Sequence, residues 1–240
     1  MTPSDASSPA EHPRPTDARA REFNETLVEA LRAWRLRLEP SSLEGMRRHF
    51  LRMVEVNRRM NLTRITEPAD AAIKHYADSL ALLLCPDIAG VERLTLLDVG
   101  TGAGFPAVPL ALARPTWQIT ALDATAKKVR FVAESAADLG LTNLDAVHGH
   151  LRHWKSPRRF DLITLRAVAR AGECLPMAVP WVAPRGAIVL YQTAGGCSAH
   201  RCAGDEEWPA GERRLRRRVV RYTLCLRGEV FERALHVFQA

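Results

Sequence analysis

The residues best placed to do chemistry are the glycines of Gly100-Thr101-Gly102-Ala103-Gly104, with Asp98 just before them and Asp123 about twenty residues later. An apolar run, Leu94 to Val99, precedes the glycines and a second one, Trp117 to Leu122, precedes Asp123. This is the pattern of a buried strand, a tight turn and a helix start. Glycine brings backbone N–H groups close to a ligand because no Cβ intervenes. Asp98 stands where it can accept from the turn's own N–H groups or face a ligand's ammonium group. A carboxylate at the next strand end can accept from both ribose hydroxyls. After Gly102 the third glycine comes one residue too early for the dinucleotide spacing, position 105 is Phe, and no Gly-Lys-Ser/Thr of a P-loop follows. Glycines at alternate positions and the distal acid point to S-adenosylmethionine more than to a dinucleotide.

Other candidates lie outside the turn. His75 and Asp78 are three apart and share one helix face, so they can line a target pocket or fix the helix against the sheet. Arg166 follows an apolar strand, at the C-terminal sheet edge where such folds bind ligands, or it forms a buried structural ion pair. Arg64, Lys127, Lys128 and the Arg213–Arg218 cluster can hold phosphates, which position a nucleic acid without reading it, or form a solvated face. The net charge of +7 agrees with an anionic partner. Yet only four of the 34 basic residues are lysine, and an arginine-rich composition can also reflect genome composition. Cys197-x-x-His200-x-Cys202 has irregular spacing and no second ligand pair, so no metal is expected.

The elements that must position these residues follow from periodicity. Residues 1–18, with four prolines and almost no large apolar side chain, read as a disordered tail. Residues 19–90 read as a helical subdomain. Phe23, Leu27, Leu31, Trp34 and Leu38 mark a first helix that Pro40 ends. Ser41 and Glu44 suggest a capping box for a second, which buries Leu43, Met46, Phe50, Met53 and Val54. A third helical run is expected from Ala69 to Leu84.

Residues 91–240 then alternate. Strands are expected at Leu94–Val99, Trp117–Leu122, Leu144–Val147, Phe160–Leu165 and Gly186–Tyr191. Helices are expected at Phe105–Ala113, Thr125–Leu139 and Ala169–Val182. Two late strands, Val219–Leu226 and Ala234–Phe238, have no helix between them, and Ala194–Gly211 reads as a mobile loop. The alternation predicts an α/β fold with a doubly wound, mainly parallel sheet, a hairpin at one edge and an N-terminal helical extension. No run reaches the roughly eighteen apolar residues of a membrane span, no apolar signal core stands at the N-terminus, and five scattered cysteines suit a reducing cytoplasm.

With Asp98–Pro109, Asp123, Lys127-Lys128, Phe160-Asp161 and Leu165-Arg166-Ala167 in view, the chain resembles the GidB/RsmG family of bacterial 16S ribosomal RNA guanine-N7 methyltransferases. The match runs over roughly residues 45–240 and includes Asn57, Asn61-Leu62-Thr63, His75-x-x-Asp78-Ser79 and Glu229-x-x-Glu232-Arg233. The resemblance implies a Rossmann-like class I methyltransferase domain. It implies that Gly100 and Phe105 contact S-adenosylmethionine, that Leu151-Arg152 lies by the adenine, and that Arg166 sits near the methionine and the target. Three positions depart from the family's pattern: Arg152 replaces an acid, Ala107 a glycine, and Gln192-Thr193 a Lys-Gly pair.

That reaction asks little acid–base chemistry of the protein. Guanine N7 carries an exposed lone pair and loses no proton, so alignment is the main demand. The N7 edge of A-form RNA lies in a groove too deep for side chains, so the target must be accessible in naked 16S rRNA or a small-subunit assembly intermediate. A monomer is expected. The competing readings are a catalytically weak family member serving as an RNA-binding assembly factor, and a small-molecule methyltransferase.

Overall fold

The computed structural model describes residues 15–166, 171–194, 206–210 and 213–239. Two long helices come first, α1 (Pro15–Ala33) and α2 (Pro40–Met60). The first begins inside the segment read as a tail, while residues 1–14 lie outside the described set. Phe23, Leu27 and Leu31 of α1 are buried against Met46, Phe50 and Met53 of α2, with the Phe23 and Phe50 rings stacked at 4.5 Å.

The expected capping box does not form. Pro40 starts α2 with its φ already suited to a helix, so the N-cap is Glu39, which makes no side-chain cap bond. Glu44 pairs instead with Arg47, and the Ser42 hydroxyl donates to the Leu112 carbonyl at 2.7 Å.

The third helical run is present but changes pitch. It comprises α3 (Pro68–Ala71), a π-helical turn Ala72–Ala77, α4 (Asp78–Leu80) and a 3₁₀ turn Ala81–Leu84, before the short α5 (Pro86–Ala89). A π turn inside a helix shifts side chains around its axis and is often found at functional sites. Here it carries Lys74 and His75 and ends at Asp78.

The sheet contains β1 (Thr95–Val99), β2 (Gln118–Asp123), β3 (Leu144–His148), β4 (Phe160–Arg166), β5 (Val182–Thr193), β6 (Glu206–Ala210), β7 (Arg213–Leu226) and β8 (Glu229–Gln239). Its order is β3-β2-β1-β4-β5-β8-β7-β6. The first five strands are parallel, and β8, β7 and β6 follow antiparallel. The connecting helices are α6 (Ala107–Ala113), α7 (Ala126–Leu139) and α8 (Ala171–Ala178). Gly140 ends α7 at φ +69, as a left-handed C-cap does.

Several late boundaries differ from the sequence reading, and both late strands are longer, β7 starting at Arg213 rather than Val219 and β8 at Glu229 rather than Ala234. The helix expected to run to Val182 stops at Ala178, and a 3₁₀ turn at Val179–Trp181 leads into a β5 that starts four residues before Gly186. The segment read as a loop contributes β6, which pairs with β7 and is the outermost strand. The late hairpin is therefore covered by one further strand, its tip a two-residue turn with Arg227 at φ +51 and Gly228 at φ +82.

Alternate residues of the parallel strands face two cores. Leu96, Ile119, Leu162 and Val189 pack with α1, α2, the third helical run, α6 and α7. Leu97, Val99, Ile163 and Leu190 pack with α8. The N-terminal helices thus share one continuous core with a face of the sheet, which fixes the π turn against the carboxyl ends of β1 and β4. Among the described residues no helix is long and apolar enough to cross a membrane.

Candidate active site

The glycine turn is shaped by the end of β2. Gly100 and Thr101 donate their N–H groups to the Leu122 carbonyl at 2.7 and 3.1 Å, and Gly102 donates to Asp123 Oδ2 at 2.9 Å. The other Asp123 oxygen accepts the Thr125 N–H at 2.8 Å, at the start of α7. Gly100, Gly102 and Gly104 have φ of +73, +61 and +93, and a Cβ on Gly104 would stand 2.6 Å from a Val108 methyl. Asp98 lies behind the turn. It is fully buried and accepts the Thr164 hydroxyl at 3.0 Å and the Ala107 N–H at 3.3 Å. Burial pushes its carboxyl up to about 6, against the lowering effect of its bonds with Thr164 and Ala107.

The third helical run closes the turn from above. Asn57 Oδ1 accepts the N–H groups of both Leu62 and Thr63, which shapes the loop after α2 and presents Thr63 to His75. The His75 ring stacks on Phe105 at 4.5 Å, with Nε2 2.9 Å from the Thr63 hydroxyl and Nδ1 3.5 Å from an Arg166 nitrogen. Burial, reinforced by the Arg166 charge, lowers its pKa to about 3, so the ring is neutral near pH 7.

Asp78 is the centre of the site's charge. Its side chain is 1% exposed. Oδ2 accepts Arg166 Nε at 2.8 Å and Arg233 Nη2 at 3.2 Å, while Oδ1 accepts Tyr222 Oη at 2.7 Å and Arg233 Nε at 3.1 Å. Arg166 also donates to the Lys74 carbonyl. This one carboxylate ties the N-terminal helices to β4, β7 and β8. Burial and the adjacent Asp78 charge raise the Tyr222 phenol above its ordinary range, so it remains a donor.

Two cavities meet at this network. One, of about 400 Å³, is lined by Leu62, Thr63, His75, Gly100 to Ala103, Phe105, Arg166 and Tyr191 to Thr193, with Arg233. The other, of about 500 Å³, is lined by Ile65, Lys74, Asp78, Leu224, Val230, Phe231 and Glu232, together with Arg166, Thr193 and Arg233. The last three residues belong to both.

The structure brings together His75, Asp78, Gly100, Gly102, Phe105 and Arg166 at these cavities. Gly104, Asp98 and Asp123 support the turn from behind and beside it. Leu151 is buried in the core on the α8 face, and Arg152 is exposed. Lys127 is exposed and Lys128 half-buried on the first turn of α7, and Arg64 is exposed beside Thr63 at the cavity rim. The arginines of β7 do not join them. Arg216 is in register with Gln239 and Tyr222 with Arg233, a separation of about 20 Å along the strand. That cluster therefore lies toward the opposite end of the sheet.

Tyr222 was not singled out from the sequence, and Arg233 entered only as part of a family-like triplet. The available signal was a charged residue directly before the apolar run Ala234 to Phe238. Cys197, His200 and Cys202 lie outside the described residues. Among the described residues no group of three His, Cys, Asp or Glu side chains is placed to hold a metal.

Residues 42–203 match the family described as rRNA small subunit methyltransferase G. The chain belongs to this family. It is 34% identical over 195 residues to the ribosomal RNA small subunit methyltransferase G of Leuconostoc citreum, covering 80% of this chain and 78% of that one. The same enzyme of Exiguobacterium is 37% identical over 191 residues, with 75% and 79% covered. A putative transferase from Pyrococcus horikoshii has a similar fold, with a TM-score of 0.50 and 13% identity over 68% of this chain and 63% of that one.

The chain is thus a methyltransferase of small-subunit ribosomal RNA, and its methyl donor is S-adenosylmethionine. The site fits that cofactor. The glycine turn lines a cavity of suitable size, Arg166 puts a guanidinium on its wall, and Asp123, bonded to Gly102 of that turn, keeps a lone pair on each oxygen beyond the one its backbone partner uses.

Proposed function

We propose that this enzyme methylates N7 of a guanine in 16S ribosomal RNA. One observation carries the choice of atom: no carboxylate or imidazole lining the glycine-turn cavity is free to take a proton, and Glu232, a carboxylate without a partner among the described residues, lines only the cavity beside it. Both oxygens of Asp78 are committed to Arg166, Arg233 and Tyr222. His75 is neutral and has a neighbour at each ring nitrogen. Asp98 is sealed behind the turn. Methylation of an exocyclic amine or a ribose hydroxyl must discard a proton, whereas N7 does not. S-adenosylmethionine supplies an electrophilic methyl group. The N7 lone pair forms the new N–C bond, the C–S bond pair leaves on sulfur, and the positive charge passes to the purine.

The residues then have distinct tasks. Gly100, Gly102, Phe105 and Asp123 hold the cofactor, with Asp98 and Gly104 fixing the turn's shape. Arg166 receives the cofactor carboxylate, and Leu151 with Arg152 border the adenine. His75 positions Phe105, and Asp78 positions Arg166 and Arg233. Arg64, Lys127 and Lys128 contact RNA phosphates, in the cytoplasm where the ribosome is assembled. The test is to incubate the purified chain with 16S rRNA lacking this methylation and map the product by mass. A 7-methylguanine is expected, and a methyl on another atom would refute the assignment.

A further inference from the structure

The 400 Å³ cavity takes in the glycine turn, but the 500 Å³ cavity beside it contains none of that turn and is assigned no ligand by the family match. The two share Arg166, Thr193 and Arg233 as a common wall. A methyl donor in the first therefore faces whatever occupies the second. The walls of the second combine apolar Ile65, Leu224 and half-buried Phe231 with polar Lys74, Glu232 and Arg233, and Val230 at its edge is 61% exposed. Val230 is one of only two exposed large hydrophobic residues among the described residues. An aromatic wall with an exposed apolar edge suits a flat ring system drawn out of its stack.

The two carboxylates of this cavity differ in what remains available. Asp78 has spent its oxygens on Arg166, Arg233 and Tyr222, whereas Glu232 makes no ion pair or side-chain hydrogen bond among the described residues. A carboxylate with free lone pairs accepts only. Guanine is the one standard base that offers two adjacent N–H donors on its Watson–Crick edge, N1–H and the 2-amino group.

We infer that the cavity bounded by Phe231 and Glu232 seats the target guanine, with Phe231 stacking on the base and Glu232 reading its N1–H and 2-amino edge. This rests on the reading of the chain as a guanine-N7 methyltransferase. Charge adds a rate effect to the recognition. As N7 becomes alkylated the purine turns cationic and its N1–H more acidic, so the contact with Glu232 strengthens toward the transition state. Lys74, whose ammonium lies 5.2 Å from the Phe231 ring centre, helps to hold that ring in place.

The test uses the full chain with the variants F231L and E232Q. Substrates are 16S rRNA lacking the mark, and a 16S fragment carrying either guanosine or inosine at the target position. Both variants should bind S-adenosylhomocysteine within about twofold of wild type by calorimetry, while kcat/KM for RNA falls roughly 10- to 100-fold, the range of one stacking or bidentate contact. Inosine lacks the 2-amino group, so it should slow the wild type roughly tenfold and E232Q hardly at all. Wild-type kcat/KM in either variant, or an inosine penalty equal in wild type and E232Q, overturns the inference alone. Failure of the wild-type chain to methylate guanine N7 overturns the functional reading, and this inference with it.

Discussion

Replacing Asp78 with asparagine keeps its volume and removes its charge. Two guanidiniums, 13% and 22% exposed, then face each other around a neutral amide. The amide oxygen can still accept from some of the three donors, but its NH₂ must point at another. Breaking a buried pair by removing one partner costs about 3–5 kcal/mol. The partial exposure of both arginines favours the lower end, about 3 kcal/mol. For a chain of this length that corresponds to a fall in Tm of roughly 6–12 °C. The assay is urea unfolding followed by circular dichroism, with S-adenosylhomocysteine affinity and rRNA turnover measured on the same samples. Asp78→Asn should lose stability, and turnover should fall with it as Arg166 and Arg233 drift. Asp78→Asn combined with Arg233→Met should be less destabilised than the two single changes predict, because the second removes a charge that the first stranded. A fully stable Asp78→Asn protein with turnover lowered a hundredfold would refute the argument and make Asp78 a chemical participant.

Tyr222→Phe removes one hydrogen bond to a charged acceptor and should cost about 1.5–3 kcal/mol in the same unfolding assay, with cofactor-analogue affinity nearly unchanged. Gly104→Ala, at φ +93 with Val108 in the way, should cost more stability than Gly140→Ala, at φ +69 with nothing within 4 Å, and thermal melts of the pair will rank them. Asp123→Asn should weaken S-adenosylhomocysteine binding about tenfold or more by calorimetry, since it disturbs both the proposed ribose acceptor and the Gly102 contact. Stability should fall as pH drops from 7 to 5. His49, buried on α2 with its Nδ1 2.7 Å from the Tyr76 hydroxyl, and His75 are both held near pKa 3 in the fold, chiefly by burial, against 6.5 in the unfolded chain, so each lowers stability by about 2 kcal/mol by pH 5. Asp98, raised from 3.8 to about 6, works the other way and recovers about 1 kcal/mol over the same interval, so a stability rising toward pH 5 would contradict these assignments.

The features legible in the sequence are those whose cause is local. The glycine turn, the strand before it and the carboxylate after β2 follow from residue types a few positions apart, and the turn's geometry follows from three positive φ angles. The helix-end motif at Asn57 and Asn61-Leu62-Thr63 was visible as residues, but its action was not, because Asn57 works by accepting two backbone N–H groups beyond the end of α2. The partners of Asp78 were out of reach for a different reason. Arg166, Tyr222 and Arg233 lie 88, 144 and 155 residues away in sequence, and only the order β4-β5-β8-β7 brings them together. The pitch change at Ala72–Ala77 was hidden too, since apolar spacing does not separate a π turn from an α-helix.

The charge around the site explains why so much ionisable chemistry is spent on structure. Arg166 and Arg233 together carry two positive charges at a place where, in the proposed N7 transfer, a third passes from the cofactor sulfonium to the purine. Asp78 neutralises one of them permanently, and it is buried so that water cannot weaken its hold. In the proposed complex the carboxylate of the bound cofactor accounts for the other. In the proposed N7 transfer, which exchanges no proton, a base beside the glycine turn would have no task, and a mobile arginine would repel the product cation as it forms. The neutral His75 follows the same logic, since it stiffens Phe105 by stacking without adding charge. On this argument a second cation is worse than a missing one. Glu232→Lys should therefore slow methyl transfer far more than Glu232→Gln, with little change in S-adenosylhomocysteine affinity. Equal rates for the two would mean that the field at the second cavity does not reach the reacting nitrogen.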